Sequence, residues 1–347
     1  MAIDNRNLWP DLAPSRAGAG AQAADEVLRL DDLHISVHGG AATAVRGVSL
    51  RVRPGEIVGL VGESGSGKTL TCRAILGVLP PGCAVERGTV SFGGVDVTSL
   101  SRRDWERLHG SHLGAVFQDP ASYLNPVLTV GGQLAEVLRV KLGLGRRAAH
   151  SRALELFEAV GLRQPERVFH QIPAELSGGM LQRVMIAIAI SCDPRLLVAD
   201  EPTTALDVTI QAEVLELLQR LRDERGLAVL FVSHDLAVIT QLCDRIVVFY
   251  AGEIVESGPA GEITRRPRHP YTQALLRVAS VGDFRRRELE VIAGQPPRVG
   301  EDITGCRFAA RCPVAVPECG AGPIRSVPVG DRHQVRCVHA ARAVVTS

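Results

Sequence analysis

The chain has 347 residues, of which 46% are hydrophobic and 22% charged, and its formal net charge is +1. This length and composition allow one large α/β domain with a smaller one appended. The near-neutral charge argues against a nucleic-acid-binding protein. No apolar run approaches the roughly 20 residues that cross a bilayer, and the first 25 residues lack the apolar core of a signal peptide. We therefore expect a soluble protein whose role at a membrane would come through a partner.

Hydrophobic spacing predicts an α/β domain over about residues 27–257, preceded by an Ala-, Gly- and Pro-rich disordered tail at 1–26. Alternating apolar residues predict two strands over 27–52 with a turn at Gly39-Gly40. Short apolar runs and helical spacing then predict the remaining elements of this core. The strands are expected at 57–61, 196–199, 228–232 and 246–249, and the helices at 68–76, 180–191, 208–224 and 235–241.

A helical block interrupts this core at about residues 119–178, where apolar residues recur every three or four positions over 131–141 and 148–160. A β-turn-β unit around Gly252 closes the domain. Beyond about residue 258, Pro, Gly and Arg become more frequent and the periodicity weakens. The sequence therefore predicts a different, loop-rich C-terminal region at 258–347.

A glycine-rich segment between the strand at 57–61 and the helix at 68–76 matches the phosphate-loop pattern. Its glycines let backbone N–H groups converge on a phosphate, and the helix directs its positive end there. Lys68 is expected to reach the β- and γ-phosphates, and the Thr69 hydroxyl to bind Mg²⁺. The predicted ATP-binding residues are Gly62, Glu63, Ser64, Gly65, Ser66, Gly67, Lys68 and Thr69.

The strand at 196–199 ends in two acids, Asp200 and Glu201. A buried strand of an open α/β sheet delivers such carboxylates to the ligand crevice at its carboxyl end. We expect Asp200 to hold Mg²⁺, usually through water, and Glu201 to orient and polarise the attacking water. A strand that ends in Asp-Glu is weak evidence alone, because it is often a solvated turn, but it is strong downstream of a phosphate loop.

The segment Ser177, Gly178, Gly179 and Met180 opens the helix expected at 180–191. Ser177 is a natural N-cap, and the glycines expose the first N–H groups of the helix to an anion. Read locally this could be a helix cap and nothing more. Its distance from Asp200 leaves room for one helix and one strand.

These motifs resemble the ABC ATPase family in order and spacing, together with Gln118 in Val-Phe-Gln-Asp-Pro, Asp207 in Ala-Leu-Asp and His234 in Ser-His-Asp. The resemblance covers about residues 27–257. It implies an ABC-type P-loop domain with a RecA-like core, an antiparallel β subdomain and a helical subdomain. It also implies an ATPase coupled to transport, in which the phosphate loop of one subunit and the signature Ser177–Met180 of another enclose each ATP.

The resemblance assigns roles to single residues. Gln118 would bind Mg²⁺ and sense the transmembrane partner, Asp207 would bridge the two subunits, and His234 would contact the γ-phosphate. A lone histidine at a strand end is more often structural, but the place of His234 just after the strand at 228–232 favours catalysis. The family often places an adenine-stacking aromatic residue near the end of its first strand, where this chain has His38. Imidazole stacks less extensively than Tyr or Phe, so the adenine contact is expected to be weaker or shifted.

Further segments resemble the dipeptide, oligopeptide and nickel importer branch: Leu124-Asn125-Pro126, 180–187, 202–209, Arg-His-Pro-Tyr-Thr at 268–272 and Gly-Gln-Pro-Pro at 294–297. This branch implies peptide import, with nickel or another small solute as the alternative. It implies a second, different ATPase subunit, two permease subunits and, indirectly, an extracytoplasmic substrate-binding protein. The chain would lie on the cytoplasmic side of the membrane, with 119–130, including Tyr123 and Leu124, facing the permease. Both residues could equally be core of the helical block.

Four of the eight cysteines, Cys306, Cys312, Cys319 and Cys337, cluster in the C-terminal region. Four thiolates suit a tetrahedral zinc site or an iron–sulfur cluster. The absence of a Cys-x-x-Cys pair argues mildly against a zinc ribbon. Cys312-Pro313 and the resemblance to peptide-importer ATPases favour a [4Fe–4S] cluster, with four reduced structural cysteines as the alternative.

Two other functional classes are less consistent with the sequence. ABC ATPases of DNA repair or the ribosome usually carry a long coiled coil, zinc hooks or two nucleotide domains, and none of these features appears. A non-catalytic nucleotide-binding module is disfavoured because Glu201 and His234 are both present.

Overall fold

The computed structural model describes residues 26–203, 207–280 and 292–345. The predicted disordered tail therefore lies outside the described residues except for Glu26. Ala205 and Leu206, which precede Asp207 in its motif, also lie outside them. No helix of the described residues is long and apolar enough to span a membrane.

The strands of the described residues form two sheets. Their bounds are β1 (Leu28–Val37), β2 (Ala42–Val52), β3 (Ile57–Val61), β4 (Ala84–Phe92), β5 (Val95–Asp96), β6 (Leu113–Val116), β7 (Leu196–Asp200), β8 (Ala228–Val232), β9 (Arg245–Tyr250), β10 (Glu253–Pro259), β11 (Val327–Gly330) and β12 (His333–Val335).

The α-helices of the same residues precede, separate or follow these strands. Their bounds are α1 (Lys68–Ile75), α2 (Arg102–Leu108), α3 (Pro120–Tyr123), α4 (Val130–Leu142), α5 (Arg146–Ala159), α6 (Pro165–Phe169), α7 (Gly178–Ala189), α8 (Val208–Arg225), α9 (Leu236–Leu242), α10 (Ala260–Arg265), α11 (Pro270–Ser280) and α12 (Val338–Val345).

A mixed sheet in the order β11-β12-β10-β9-β3-β8-β7-β6 forms the core of the molecule. Strands β9, β3, β8, β7 and β6 run parallel to one another. Every residue of β3, β7 and β8 is buried. Parallel strands covered on both faces read as continuous apolar runs, which is why short runs in the sequence predicted them correctly. Their carboxyl ends meet at one edge of the sheet.

A second, antiparallel sheet has the order β2-β1-β4-β5. Its strand β2 begins beside the loop that precedes α1. The two are so close that a Cβ added at Gly67 would lie 3.2 Å from Val45. The predicted turn between β1 and β2 is present as a short 3₁₀ turn at His38–Gly40. The structure therefore has the antiparallel subdomain that the resemblance implied.

Helices α3 to α6 form the predicted helical block between β6 and α7. Thr129 caps α4 by accepting a hydrogen bond from the Gly132 N–H (3.2 Å), which fixes where that helix begins. Leu134, Leu138 and Phe157 are fully buried within the block. Its apolar faces therefore account for the helical spacing seen in the sequence.

The C-terminal region continues the core sheet. β12 pairs with β10 through Glu256 opposite Val335, and β11 pairs with β12. β11 is four residues long and β12 is three. Strands this short do not give a clear alternating pattern, so the sequence did not predict them. The domain boundary near residue 258 stays a prediction, but residues on its two sides share one sheet.

Candidate functional site

The loop between β3 and α1 needs glycine at two positions. A Cβ at Gly62, whose φ is +152°, would lie 2.2 Å from the Phe249 carbonyl oxygen, so no side chain fits there. Gly67 has a φ of +105° and begins α1 as its N-cap without a side chain. The loop backbone can therefore follow the tight path that brings its N–H groups toward a phosphate.

Lys68, the first residue of α1, is buried against this loop. Its Nζ donates hydrogen bonds to the carbonyl oxygens of Gly62 (2.7 Å) and Glu63 (2.9 Å) and to Ser66 Oγ (3.2 Å). Burial lowers the pKa of the Lys68 ammonium, while the carboxylates of Glu201 and Asp200 raise it. The ammonium is thus held where a phosphate oxygen can compete for its hydrogen bonds.

The side-chain oxygens of Thr69 and Asp200 lie next to each other at the carboxyl end of β7. Thr69 Oγ1 donates to Asp200 Oδ1 at 3.4 Å, and Asp200 is buried. Burial raises the pKa of Asp200, and the Thr69 hydrogen bond opposes that rise. A hydroxyl next to a carboxylate is a donor set that Mg²⁺ accepts, and a bound cation would offset the cost of burying the charge.

Glu201 and His234 lie at the ends of the neighbouring strands β7 and β8. Glu201 has a φ of +51°, and its N–H donates to the Val232 carbonyl oxygen at 3.0 Å. His234 Nδ1 lies 3.4 Å from Glu201 Oε2. A non-glycine residue in the left-handed region is strained, and such strain concentrates at functional sites. The structure brings the predicted water-orienting carboxylate and the predicted γ-phosphate contact next to each other.

Gln118 lies at the same edge of the sheet. In the parallel pairing of β6 with β7, Val116 is opposite Ala199. Asp200 is one residue beyond this pair and Gln118 is two residues beyond it, so both lie near the carboxyl ends of their strands. The Gln118 side chain is exposed. Its expected Mg²⁺ ligation stays a prediction.

The signature segment begins α7 as predicted. Ser177 is the N-cap, and its Oγ accepts a hydrogen bond from the Met180 N–H at 3.4 Å. Gly179 is packed against α8, since a Cβ there would lie 2.6 Å from Ile210 Cγ2. Asp207 caps α8 by accepting from the Ile210 N–H at 2.9 Å. Ile210 therefore links the signature to Asp207, and the exposed Ser177 and Gly178 are accessible to a ligand on another molecule.

His38 lies exposed in the turn between β1 and β2 with a φ of +56°. The turn is held by a hydrogen bond from the Gly39 N–H to the Gly82 carbonyl oxygen (2.9 Å). The described contacts do not test adenine stacking by His38, which stays a prediction.

Two C-terminal residues contact the phosphate-binding loop, and sequence reasoning missed both roles. The Arg311 guanidinium makes a two-pronged ion pair with the Glu63 carboxylate, at 2.7 Å and 2.9 Å. The Tyr271 hydroxyl accepts a hydrogen bond from the Glu63 N–H at 2.8 Å. The available signals were the His-Pro-Tyr segment and an arginine beside a clustered cysteine, but neither reveals a contact so distant in sequence.

The C-terminal cysteines lie near one another. Burial raises the pKa of the Cys306 thiol to about 11, the Phe308 N–H donated to its sulfur lowers that pKa, and the charges of Cys319, Cys337 and Cys312 raise it further. The Val314 N–H likewise donates to the Cys312 sulfur. Among the described residues, the group whose ligand atoms lie within 4.8 Å of one another is His150, Glu166 and His170, not the cysteines. A single tetrahedral zinc ion needs its sulfurs about 4 Å apart, so this cysteine arrangement does not fit one.

Two protein families match the chain in two separate stretches. The family described as ABC transporter matches residues 45–204, which include the loop at 62–69, Ser177 and Glu201. The family described as oligopeptide/dipeptide transporter, C-terminal region, matches residues 255–319, which include Tyr271 and Arg311.

Several relatives match over most of the chain. A Brucella melitensis protein named as a candidate peptide import ATP-binding protein is 46% identical over 308 residues, covering 85% of this chain and 91% of the relative. The Escherichia coli protein named probable D,D-dipeptide transport ATP-binding protein is 44% identical, covering 90% of this chain and 95% of its own length. The oligopeptide transport ATP-binding protein of Mycobacterium tuberculosis is 44% identical over 90% of this chain, which spans only 52% of that longer relative.

Solved structures show the same fold. A dimeric bacterial ABC transporter cassette is similar with a TM-score of 0.61 and 28% sequence identity, covering 67% of this chain and 98% of that one. The same cassette in a post-hydrolysis dimer with ADP and Pi has the same score and coverage. With the phosphate loop, the paired acids and the signature in place, the chain belongs to the ABC transporter family and is one of its ATP-binding, ATP-hydrolysing cassettes.

Proposed function

We propose that this chain hydrolyses Mg·ATP to energise the import of di- and oligopeptides through membrane permease partners. The single observation that carries the ATPase part is the convergence of Lys68, the Thr69–Asp200 pair and the Glu201–His234 pair at one edge of the core sheet. The C-terminal region and the peptide-transport names of relatives at 44–46% identity support the peptide part.

The loop and Lys68 bind the phosphates of ATP. The N–H groups of residues 62–69 direct their positive ends toward the β-phosphate, and the Lys68 ammonium moves from the loop carbonyls to phosphate oxygens. Thr69, Asp200 and Gln118 would hold Mg²⁺. When bound, Mg²⁺ neutralises charge on the β- and γ-phosphate oxygens.

Glu201 orients water against the γ-phosphorus and accepts its proton as the new P–O bond forms and the bond to the β–γ bridging oxygen breaks. ADP takes the electron pair of the broken bond. His234, 3.4 Å from Glu201, contacts the γ-phosphate and holds the carboxylate in place. The reaction yields ADP and inorganic phosphate.

The site is completed by the signature segment of a second subunit, and in turn this chain's Ser177, Gly178, Gly179 and Met180 cover the γ-phosphate in that subunit's site, with Asp207 at the boundary. The exposure of Ser177 and Gly178 supports this arrangement, as does the dimeric state of the similar cassettes. We propose a different ATPase chain as this second subunit, two permease subunits, and indirectly an extracytoplasmic substrate-binding protein. The complex would place this chain at the cytoplasmic side of the membrane as a peripheral subunit.

The permease would contact the segment at 119–130. Tyr123 is exposed and stacks on Phe117 with ring centroids 4.6 Å apart, and Val127 and Leu128 expose apolar surface beside it. Leu124 is only 5% exposed and belongs to the core, so of the two residues that the sequence suggested, Tyr123 is the better contact.

The C-terminal cysteines would hold a [4Fe–4S] cluster. Support comes from the proximity of Cys306, Cys312, Cys319 and Cys337 and from the N–H groups donated to two of their sulfurs, which stabilise thiolate ligands. Zinc is the alternative that the spacing disfavours, and four free thiols are the second alternative. Iron and zinc analysis with a visible spectrum of anaerobically purified protein decides among these three. Cys306→Ser should lose the metal, whereas Cys83→Ser, outside the group, should keep it.

Uptake by cells that lack the gene tests the function directly. Deletion should abolish uptake of labelled di- and oligopeptides and spare nickel uptake. The wild-type gene should restore peptide uptake, and Glu201→Gln should not. Loss of nickel uptake with normal peptide uptake would establish the alternative cargo and contradict the peptide assignment.

A further inference from the structure

Glu63 is held by the C-terminal region through both its side chain and its backbone. Arg311 makes the two-pronged ion pair with its carboxylate (2.7 and 2.9 Å), and the Tyr271 hydroxyl accepts from its N–H (2.8 Å). The carbonyl oxygen of the same residue accepts from Lys68 Nζ at 2.9 Å. One loop residue therefore joins the C-terminal region to the lysine that binds phosphate.

Contacts other than the ion pair with Glu63 also hold the Arg311 side chain in place. Its side chain is 4% exposed. Its Nε and Nη2 donate to the carbonyl oxygens of Ala293 and Ile292, both at 2.9 Å, and Nη1 donates to the Tyr250 hydroxyl at 3.2 Å. The guanidinium also lies 5.7 Å and 5.9 Å from the ring centroids of Tyr250 and Phe308. A planar guanidinium held at this many points presents a rigid fork to a carboxylate.

Tyr271 is fixed by a separate network. It is fully buried as the second residue of α11, and its N–H donates to His269 Nδ1 at 3.0 Å. Glu256 of β10 accepts from the N–H groups of Arg268 (2.7 Å) and His269 (2.9 Å). His333 of β12 lies 2.7 Å from the same carboxylate. The His-Pro-Tyr segment is thereby tied to the sheet, and its tyrosine is aimed at the loop.

We propose that Arg311 and Tyr271 are positioning residues for nucleotide binding: they hold Glu63, and through it the phosphate-binding loop, so that the C-terminal region sets the affinity for ATP. Neither residue touches the reacting atoms. The proposal rests on the proposed function of the loop. It also gives the cysteine group a route to the ATP site, because Arg311 directly precedes Cys312.

The test is a double-mutant cycle between Arg311→Met and Glu63→Gln, read as the equilibrium affinity of full-length protein for a fluorescent ATP analogue with Mg²⁺. Each single variant should bind the analogue about 10-fold more weakly, because removing either partner of this partly buried, hydrogen-bonded ion pair releases the loop from the C-terminal region. The double variant should bind no more weakly than the weaker single variant, since the two side chains act as one unit.

Arg336→Met is the matched control. Arg336 also lies in the C-terminal region, directly precedes one of the clustered cysteines, and pairs with a glutamate of the core sheet, Glu253, at 3.6 Å. That glutamate is not in the phosphate-binding loop. Arg336→Met should lower the melting temperature and leave the affinity for the analogue within about twofold of wild type.

The outcomes separate positioning from simple stabilisation. Normal affinity in Arg311→Met, with a melting temperature lowered as in Arg336→Met, would overturn the proposal and leave the ATPase assignment intact. Failure of the wild-type protein to bind Mg·ATP would overturn both. If Arg311→Met does not fold, Tyr271→Phe, which removes one oxygen atom, replaces it in the comparison, and unchanged affinity in that variant would equally overturn the proposal.

Discussion

The two sides of the phosphate-binding loop differ in how they are built. On the side of the reaction, Lys68 contacts Gly62, Glu63 and Ser66, all within six residues along the chain. On the opposite side, the Arg311 and Tyr271 contacts to Glu63 join residues 248 and 208 positions apart. The Lys68 contacts lie within a local sequence motif, whereas the Arg311 and Tyr271 contacts form only when the chain folds. A motif can therefore identify a site without revealing what holds it in place.

The pKa values of the two cations also shift in opposite directions, for different reasons. Burial lowers the pKa of Lys68, a cation that must release its loop contacts for a phosphate. The hydrogen bond with Glu63 raises the pKa of Arg311, whose partner is already in place. Lys68 can therefore exchange its loop contacts for a ligand, whereas Arg311 stays paired with Glu63.

On the side of the reaction, substitution of Glu201 should have the largest effect on turnover. Glu201→Gln keeps the size of the side chain but cannot accept a proton, so turnover should fall roughly 100- to 10,000-fold while ATP still binds. Steady-state release of ADP and equilibrium binding of ATP measure the two effects separately. We expect ATP to accumulate on a closed dimer in this variant.

The matched substitution on the opposite side, Glu63→Gln, should give the reverse pattern, with weaker binding and a smaller loss of turnover at saturating ATP. If Glu201→Gln hydrolysed ATP at near wild-type rates, the proton-accepting role would belong to another residue.

His269 makes the anchoring of Tyr271 sensitive to pH. Burial lowers the pKa of His269 to about 4 from its ordinary 6.5, although Glu256 opposes the change. Between these values the unfolded chain binds a proton that the folded protein does not, so stability decreases as pH falls through this window. From pH 7 to pH 5 this one group should remove about 2 kcal/mol from the free energy of unfolding.

His269→Asn retains an acceptor for the Tyr271 N–H but does not titrate. Urea unfolding at pH 7 and pH 5 should therefore show a loss of stability smaller by about 2 kcal/mol in this variant than in wild type. Equal losses in the two proteins would mean that His269 is not held in its neutral form.

Tyr271→Phe should have the smallest effect. It removes one hydroxyl and leaves the Glu63 N–H without that acceptor, so nucleotide affinity should fall roughly 5- to 10-fold. Tyr250→Phe, which removes a hydroxyl bonded to Arg311 and not to the loop, is the control and should change affinity less. A larger effect from Tyr250→Phe would place the support of the loop in the hydrogen bond between Tyr250 and Arg311 and not in the Tyr271 hydrogen bond.

The core was predictable because its signals are short in range. The fully buried strands β3, β7 and β8 appear as apolar runs, and the loop, Asp200, Glu201 and Ser177 are each fixed by a pattern within a few residues. Parallel strands bring their carboxyl ends to one edge, so the meeting of Lys68, Asp200 and Glu201 followed from the order of elements. The family match and the fold of the solved cassettes confirm this prediction of the fold.

The C-terminal region was not predictable in the same way. β11 and β12 are too short to show a period, and their place in the core sheet depends on β10, about 75 residues earlier. Nothing in the local sequence marks Glu256 as buried, yet it is 1% exposed and organises the His-Pro-Tyr segment. Buried charged residues are recognised by their partners, and those partners become neighbours only on folding.

A structure of Glu201→Gln with Mg·ATP bound tests the central claim most directly. The account predicts that the γ-phosphate lies between Lys68, residue 201 and His234, that Thr69 and Asp200 face the metal ion, and that the signature segment of a second subunit covers the nucleotide. Phosphates located away from the loop at 62–69, or a γ-phosphate with no contact to Lys68, would contradict it.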